Sequence, residues 1–318
     1  MKPSCFFQVI VFVFAGLLGW VGPLPLTSAQ MAKSSRLAMP ISPADGESFA
    51  DSIAGRIDGV LKQVNRNARV VTTQRLSLEA TTQLFVDSIS SAEVTIDLKQ
   101  RWATQGFVLE SLANGEIMLV HESPERAQGR GVYAWRTTKL DRPLVLQAPH
   151  RFFDRRTGQI VLRAFAEHPV QAACWNSVHR RQTDLAHRPQ HEFNAFTKAI
   201  ANIDPQVTIL QLHGFDPSQR RGSAAHASAI ISDSTRYPGR PARQIALDLK
   251  GLWGKTSVLL YPIETAELGG TRNAQASLLH SIGFDRFIHL ELAPEPRDRL
   301  AREAQSRARW LAALMDSD

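Results

Sequence analysis

The segment Val207-Thr208-Ile209-Leu210-Gln211-Leu212-His213-Gly214-Phe215 decides the fold. Its short apolar run closes on a histidine followed by glycine, which reads as a buried strand delivering an imidazole at its carboxyl end. Two other runs have the same form. Pro143-Leu144-Val145-Leu146-Gln147-Ala148-Pro149 ends at His150, with Asp154 close behind, and Phe287-Ile288-His289-Leu290-Glu291-Leu292 carries a carboxylate near its end. In open α/β sheets ligands bind outside the carboxyl ends of the strands. The three segments therefore define one expected site as well as a fold.

Outward from these runs, strand-like and helix-like segments alternate. Residues 106–110, 116–120 and 131–135 read as short strands joined by Gly-, Asn- and Pro-bearing turns, and Ser257–Tyr261 as another strand. Apolar residues at helical spacing predict helices over Thr157–Glu167, Pro189–Ile203, Pro241–Leu252, Asn273–Ile282 and Pro296–Leu314. Upstream, Phe49–Val64 and Leu78–Ser90 carry helical stripes and no evident chemistry. The expectation is an α/β fold, a mixed and mostly parallel sheet flanked by helices, with a small N-terminal helical region. The predicted divisions are a signal peptide over 1–29, a linker over 30–48, a helical region over 49–105 and a catalytic domain over 106–318. All ten histidines lie between His121 and His289, inside the last of these.

A catalytic zinc site takes three nitrogen or oxygen ligands and leaves one position open for water. His150 and Asp154 form a close pair, and His213 comes from a remote strand. The near pair fixes one edge of the coordination polyhedron and the fold places the third ligand. Glu291 is then free to take a proton from water. Each residue also has a plainer reading. His150 can end a strand in a turn, Asp154 can sit at a helix start, and Glu291 can pair with a neighbour. Asn176 and Arg180 follow the strand around Cys174. The planar guanidinium suits capture of a substrate carboxylate, the alternatives being a salt bridge from Arg180 to Asp184 and a role for Arg181 instead.

On Ala148-Pro149-His150 with its following acid, Asn176-x-x-x-Arg180-x-x-x-Asp184, Gln211-Leu212-His213-Gly214-Phe215 and His289-Leu290-Glu291, the chain resembles the carboxypeptidase-like zinc hydrolases. That group includes metallocarboxypeptidases, N-formylglutamate amidohydrolases and N-acetylmuramoyl-L-alanine amidases. The resemblance covers about residues 140 to 295 and implies a phosphorylase/hydrolase-like fold. It also implies zinc on the first histidine, a nearby acid and the central histidine, with the late glutamate as base and an arginine on a substrate carboxylate. One spacing departs from the family: carboxypeptidase-type sites have His-x-x-Glu, whereas three residues separate His150 from Asp154. Glu167 is therefore kept as the alternative acid ligand. His289 reads as a supporting partner of the site.

Bulk properties narrow the class. The 318-residue chain, with 43% hydrophobic and 21% charged residues, has the composition of a globular protein. Lys2, the apolar stretch Cys5–Leu18 and the small residues Thr27-Ser28-Ala29 form a secretory-signal pattern, with an uncleaved anchor as the alternative. Its removal leaves no stable membrane span and a periplasmic or secreted product. Of the two cysteines only Cys174 then remains, which excludes an internal disulfide and reads as a buried small hydrophobe. The net charge of +7 is scattered and no nucleic-acid motif accompanies it, which speaks against a nucleic-acid partner. The expected activity is zinc-dependent hydrolysis of an amide or peptide bond. Suitable substrates are a peptidoglycan stem, a γ-glutamyl chain or an N-acyl-amino acid. The alternative is a non-catalytic envelope binding protein of the same fold. No Gly-x-Ser-x-Gly elbow is present, which counts against a serine hydrolase.

Overall fold

Alternating apolar runs and turn residues build one sheet. Its strands are β1 (Phe107–Leu112), β2 (Ile117–Glu122), β3 (Val132–Arg136), β4 (Leu144–Ala148), β5 (Ala172–Trp175), β6 (Thr208–Gly214), β7 (Ala229–Ser232), β8 (Val258–Leu260) and β9 (Phe287–Leu292). They lie in the order β1-β2-β3-β5-β4-β6-β9-β7-β8. The computed structural model describes residues 48–68, 77–91 and 93–315, all within one compact unit, Asp45–Asp318. The expected signal over 1–29 and nearly all of the linker over 30–48 lie outside the described residues.

The sheet is mixed in a particular way. Its centre, β5-β4-β6-β9, is parallel. The β1-β2-β3 meander adds to β5 antiparallel on one side. On the other side β7 runs antiparallel to β9 and pairs with β8 in parallel. The parallel core is what matters for the site, because β4, β6 and β9 are adjacent and end on the same edge.

Helices cover both faces: α1 (Phe49–Asn67), α2 (Leu78–Ser90), α3 (Ile96–Thr104), α4 (Thr157–Glu167), α5 (Glu192–Ile203), α6 (Arg240–Trp253), α7 (Ala274–Ser281), α8 (Pro294–Arg302) and α9 (Ala304–Met315). Side-chain caps fix several starts: Ser48 accepts from Asp51 N, Ser77 from Ala80 N, Thr95 from Leu98 N, and Asn273 from Gln275 N and Ala276 N. One face of the sheet packs Leu146, Leu210, Leu212, Ile288 and Leu290 against apolar residues of α1, α4, α6, α8 and α9. The other packs Val145, Ile209 and Phe287 against α2, α3, α5 and α7. There Phe85 meets Trp102, Tyr133 and Phe196 at ring separations of 4.8, 5.0 and 5.2 Å. The helices over 49–105 are thus built into both cores. Cys174 is fully buried on β5, and burial pushes its thiol up.

Side chains alternate along a strand, so Val145, Ile209 and Phe287 share their face with Gln147, Gln211, His213, His289 and Glu291. Towards the carboxyl ends of the central strands this face turns from apolar to polar. Register completes the stripe: Gln147 pairs Gln211, Gln211 pairs His289, and His213 pairs Glu291. No helix among the described residues is long and apolar enough to cross a membrane.

Candidate metal centre

After β4 the chain turns at His150, whose carbonyl accepts from Phe153 N and Asp154 N. That turn folds Asp154 back onto the histidine. Asp154 Oδ2 lies 3.4 Å from His150 Nδ1 and 3.3 Å from His213 Nδ1. All three side chains are buried, and one ligand atom from each lies within 4.8 Å of the other two. A tetrahedral centre with zinc bonds of about 2.0–2.1 Å has edges of about 3.3–3.4 Å. Glu167, the alternative acid, is elsewhere: its carboxylate pairs with Arg307 and Arg163.

The outer atoms of the two rings decide the tautomers. His150 Nε2 lies 2.8 Å from Asp184 Oδ1, an acceptor, so Nε2 carries a proton. Arg180 can only donate, and its guanidinium lies 3.2 Å from His150 Nδ1, which marks that nitrogen as an acceptor in the neutral ring. His213 Nε2 lies 2.9 Å from Gln211 Oε1. The Gln211 amide is oriented by its own donations from Nε2 to Gln147 Oε1 and Gln275 Oε1, while Asn273 donates to its oxygen. In the neutral Nε2–H tautomer each ring turns an Nδ1 lone pair toward the point it shares with Asp154, which is the ligating form. Three electron-rich atoms facing one point fit a divalent cation, and an imidazole–imidazole–carboxylate set suits zinc.

Before a cation binds, the same Nδ1 atoms are placed to donate to Asp154 instead. Burial works against charge on Asp154, but hydrogen bonds to His150 and His213 hold its carboxyl well below the usual carboxylate range. Burial likewise disfavours charge on His150, and the bonds to Asp154 and Asp184 outweigh it, raising its pKa. For His213 burial prevails and the pKa falls.

Glu291, the register partner of His213, is buried at the rim of the same cleft. Its Oε2 has no hydrogen-bond partner among the described residues, and Oε1 lies 3.4 Å from His289 Nε2. Burial, followed by the Asp154 charge, pushes its pKa up to about 8. A group with that pKa changes protonation near neutrality, as an acid–base group must. The His289 ring stands 4.4 Å from that of His213, and Gly270 at φ +60° lets it approach, since a Cβ there would sit 2.8 Å from His289 Cδ2.

The other two expected residues have different settings. Asn176 does not line the cleft: its Nδ2 donates to the carbonyls of Pro149 and Thr183, and its Oδ1 accepts from Val178 N. It braces the loop beneath His150. Arg180 borders the cleft with its guanidinium engaged, 2.6 Å from Asp184 Oδ2 and stacked 5.2 Å from the Phe153 ring centroid.

Three contributors escaped the reading of the sequence in these roles. Asp184 orients His150, Gln211 orients His213, and Arg297 ties the loops together. Arg297 donates to the carbonyls of Ala293, Arg155 and Phe215, and its guanidinium fits because residue 214 is glycine, where a Cβ would lie 2.5 Å from it. Gln211 had one visible signal, a polar side chain inside an apolar run, whereas Asp184 follows a polar stretch and had none of that kind. The cleft has a volume of about 620 Å³, and Arg155, Arg180, Arg220, Arg272 and Arg297 border it, against Asp154, Asp216 and Glu291.

No family model and no curated protein matches the chain. Among solved structures it is similar to a metallopeptidase candidate from Shewanella denitrificans, at 12% identity over 69% of this chain and 88% of that one, TM-score 0.38. It is similar to the tripeptide-bound cell shape determinant Csd4 from Helicobacter pylori, at 11% identity, 55% of this chain and about half (51%) of that one, TM-score 0.36. A third likeness is to the LapA aminopeptidase of Legionella pneumophila, at 8% identity over 91% of this chain and 82% of that one, TM-score 0.38. At TM-scores below 0.5 these likenesses carry no inference about chemistry, and the site stands on its own geometry.

Proposed function

We propose that the chain is an exported, zinc-dependent hydrolase of amide or peptide bonds with an acidic substrate. What carries this reading is the convergence of His150 Nδ1, His213 Nδ1 and Asp154 Oδ2 beside an unpartnered Glu291 oxygen in one cleft. A zinc ion held by the three supplies a Lewis acid that polarises a carbonyl oxygen and lowers the pKa of water.

The chain's own residues do the rest. Glu291 takes a proton from the attacking water as the new C–O bond forms, and returns it to the departing amine as the C–N bond breaks. Its raised pKa suits both transfers. Asp184 and Gln211 hold the imidazoles in the ligating tautomer, and Arg180 holds Asp184. The excess of arginine around the cleft concentrates anionic substrates. Peptidoglycan stems, γ-glutamyl chains and acyl-amino acids all carry the required carboxylate. The export pattern at the N-terminus supports a periplasmic or secreted setting, where such polymers occur.

The test is metal analysis of purified protein followed by a hydrolysis panel of carboxylate-bearing amides. One zinc per chain, lost in the His150→Ala, His213→Ala double variant together with turnover, is the expected result. Full zinc retention in that variant overturns the ligand assignment. Stoichiometric zinc without turnover on any substrate favours the binding-protein alternative.

A further inference from the structure

Behind the His150–Arg156 turn lies a second cleft that the hydrolytic site does not use. It has a volume of about 750 Å³ and runs between α1 and the start of α4. Arg151, Arg155, Arg156 and Arg163 line it, against Asp51 and Asp58. Both acids are already engaged, Asp51 with Arg163 at 3.0 Å and Asp58 with Lys62 at 2.5 Å. The cleft is therefore cationic after its internal pairs are counted.

Two of the arginines have capacity to spare. Arg151 commits its NH2 to Leu61 O at 3.3 Å and stacks 4.0 Å from the Phe152 ring centroid, while its NH1 makes no hydrogen bond among the described residues. The side chain is threaded over the start of α4 by Gly158, where a Cβ would lie 2.7 Å from Arg151 Cβ. The Arg155 guanidinium is exposed and makes no hydrogen bond or ion pair among the described residues. The first turn of α4 has no side-chain cap, so its positive end adds to the same field. Arg155 also lines the metal cleft, so the two depressions share a wall.

We propose that this cleft is a distal subsite for a carboxylate-bearing chain whose scissile bond lies in the metal cleft, with Arg155 at the crossing and Arg151 at the floor. The inference rests on the hydrolase reading for the identity of the chain, and on its own geometry for the site. It makes the substrate an anionic polymer instead of a short peptide. A short acidic substrate occupies the metal cleft alone, while a longer one reaches the second set of guanidiniums.

The probes are γ-linked glutamate oligomers of two and eight residues, with binding measured by calorimetry on the full chain and hydrolysis followed separately. Arg151→Gln alters the second cleft alone, because Arg151 does not line the metal cleft; an Arg151→Gln, Arg155→Gln pair is the second variant. Losing charge-assisted contacts of this kind weakens octamer binding about tenfold in both variants, and Arg151→Gln leaves the dimer within about twofold. Equal affinity of wild type and variants for the octamer overturns the subsite. So does Arg155-dependent binding of inorganic phosphate with octamer affinity unchanged, which marks a free-anion site. Arg155-dependent octamer binding without hydrolysis upholds the subsite and sinks the hydrolase reading. Hydrolysis of the octamer at wild-type kcat/KM in both variants does the reverse.

Discussion

Asp184 accepts a hydrogen bond from His150 Nε2 at 2.8 Å while its other oxygen receives Arg180 at 2.6 Å. One carboxylate thereby contacts both an imidazole of the candidate centre and the nearest guanidinium. His187 Nδ1 joins it at 3.2 Å. The arrangement gives Asp184 more influence over the centre than its half-buried position suggests.

Asp184→Ala is expected to weaken zinc affinity about 10–100-fold, the usual cost of removing such a partner. Asp184→Asn, which keeps an acceptor oxygen, should recover part of the loss. Competition with a chelator of known affinity measures both. Unchanged affinity in Asp184→Ala would show that His150 is held by its turn alone.

Glu291→Gln should retain zinc and substrate affinity and lose about 10²–10⁴-fold in kcat, the range for a positioned acid–base group. Loss of zinc in this variant, with zinc kept in Asp154→Asn, would exchange the roles of the two carboxylates.

Arg180→Ala separates two readings of that residue. Its engagement with Asp184 predicts weaker zinc binding with the preference for a carboxylate substrate over its amide unchanged. Removal of a bidentate contact to substrate would instead narrow that preference by roughly 1.5–3 kcal/mol with zinc content intact. Comparing kcat/KM for a carboxylate substrate and its amide, beside metal analysis, gives the answer.

Glu291 also leaves a mark on stability. Its pKa in the folded, metal-free protein is pushed up to about 8 from an ordinary 4.5, so between those values the folded state binds a proton that the unfolded state lacks. Stability therefore falls with rising pH across that window through this group. Asp154 has the opposite sign: its depressed pKa contributes stability above the ordinary carboxylate range that is lost in acid. Denaturation midpoints of metal-free wild type and Glu291→Gln across pH 5 to 8 should diverge in slope, with the variant flatter. Parallel slopes would mean that Glu291 is already ionised in the folded state.

The central strands were legible because each places an apolar run before a polar residue that burial alone does not explain. His150, Asp154, His213 and Glu291 stand at such ends, and the structure brings them together at one edge of the sheet. Helix α4 was legible to the residue from its stripe. The reading ran out where partners are distant or polarity is hidden. Gln147, Gln211 and Gln275 form one buried amide chain, yet 64 residues separate each neighbouring pair. Asn176 looked available for a substrate because sequence cannot show that its amide turns inward to Pro149 and Thr183. The final helix was read as one, whereas Glu303 leaves the helical region at φ −104° and ψ 112°, and Arg307 donates to the freed Leu300 carbonyl. Strand β7 offers only four residues and α3 nine, too few for a period to stand out.

Arg297 holds carbonyls from the stretches that follow β4, β6 and β9, with Gly214 leaving the space for it. Those stretches carry or adjoin His150, Asp154, His213 and Glu291, so the edge that bears the candidate centre is fastened by a single knot. Loops tied in this way stiffen or loosen together, and drift in any one of them disturbs the other two. Ala266, Leu268, Thr271 and Arg272 border the same cleft and take no hydrogen bond from Arg297, so changes there leave the knot tied.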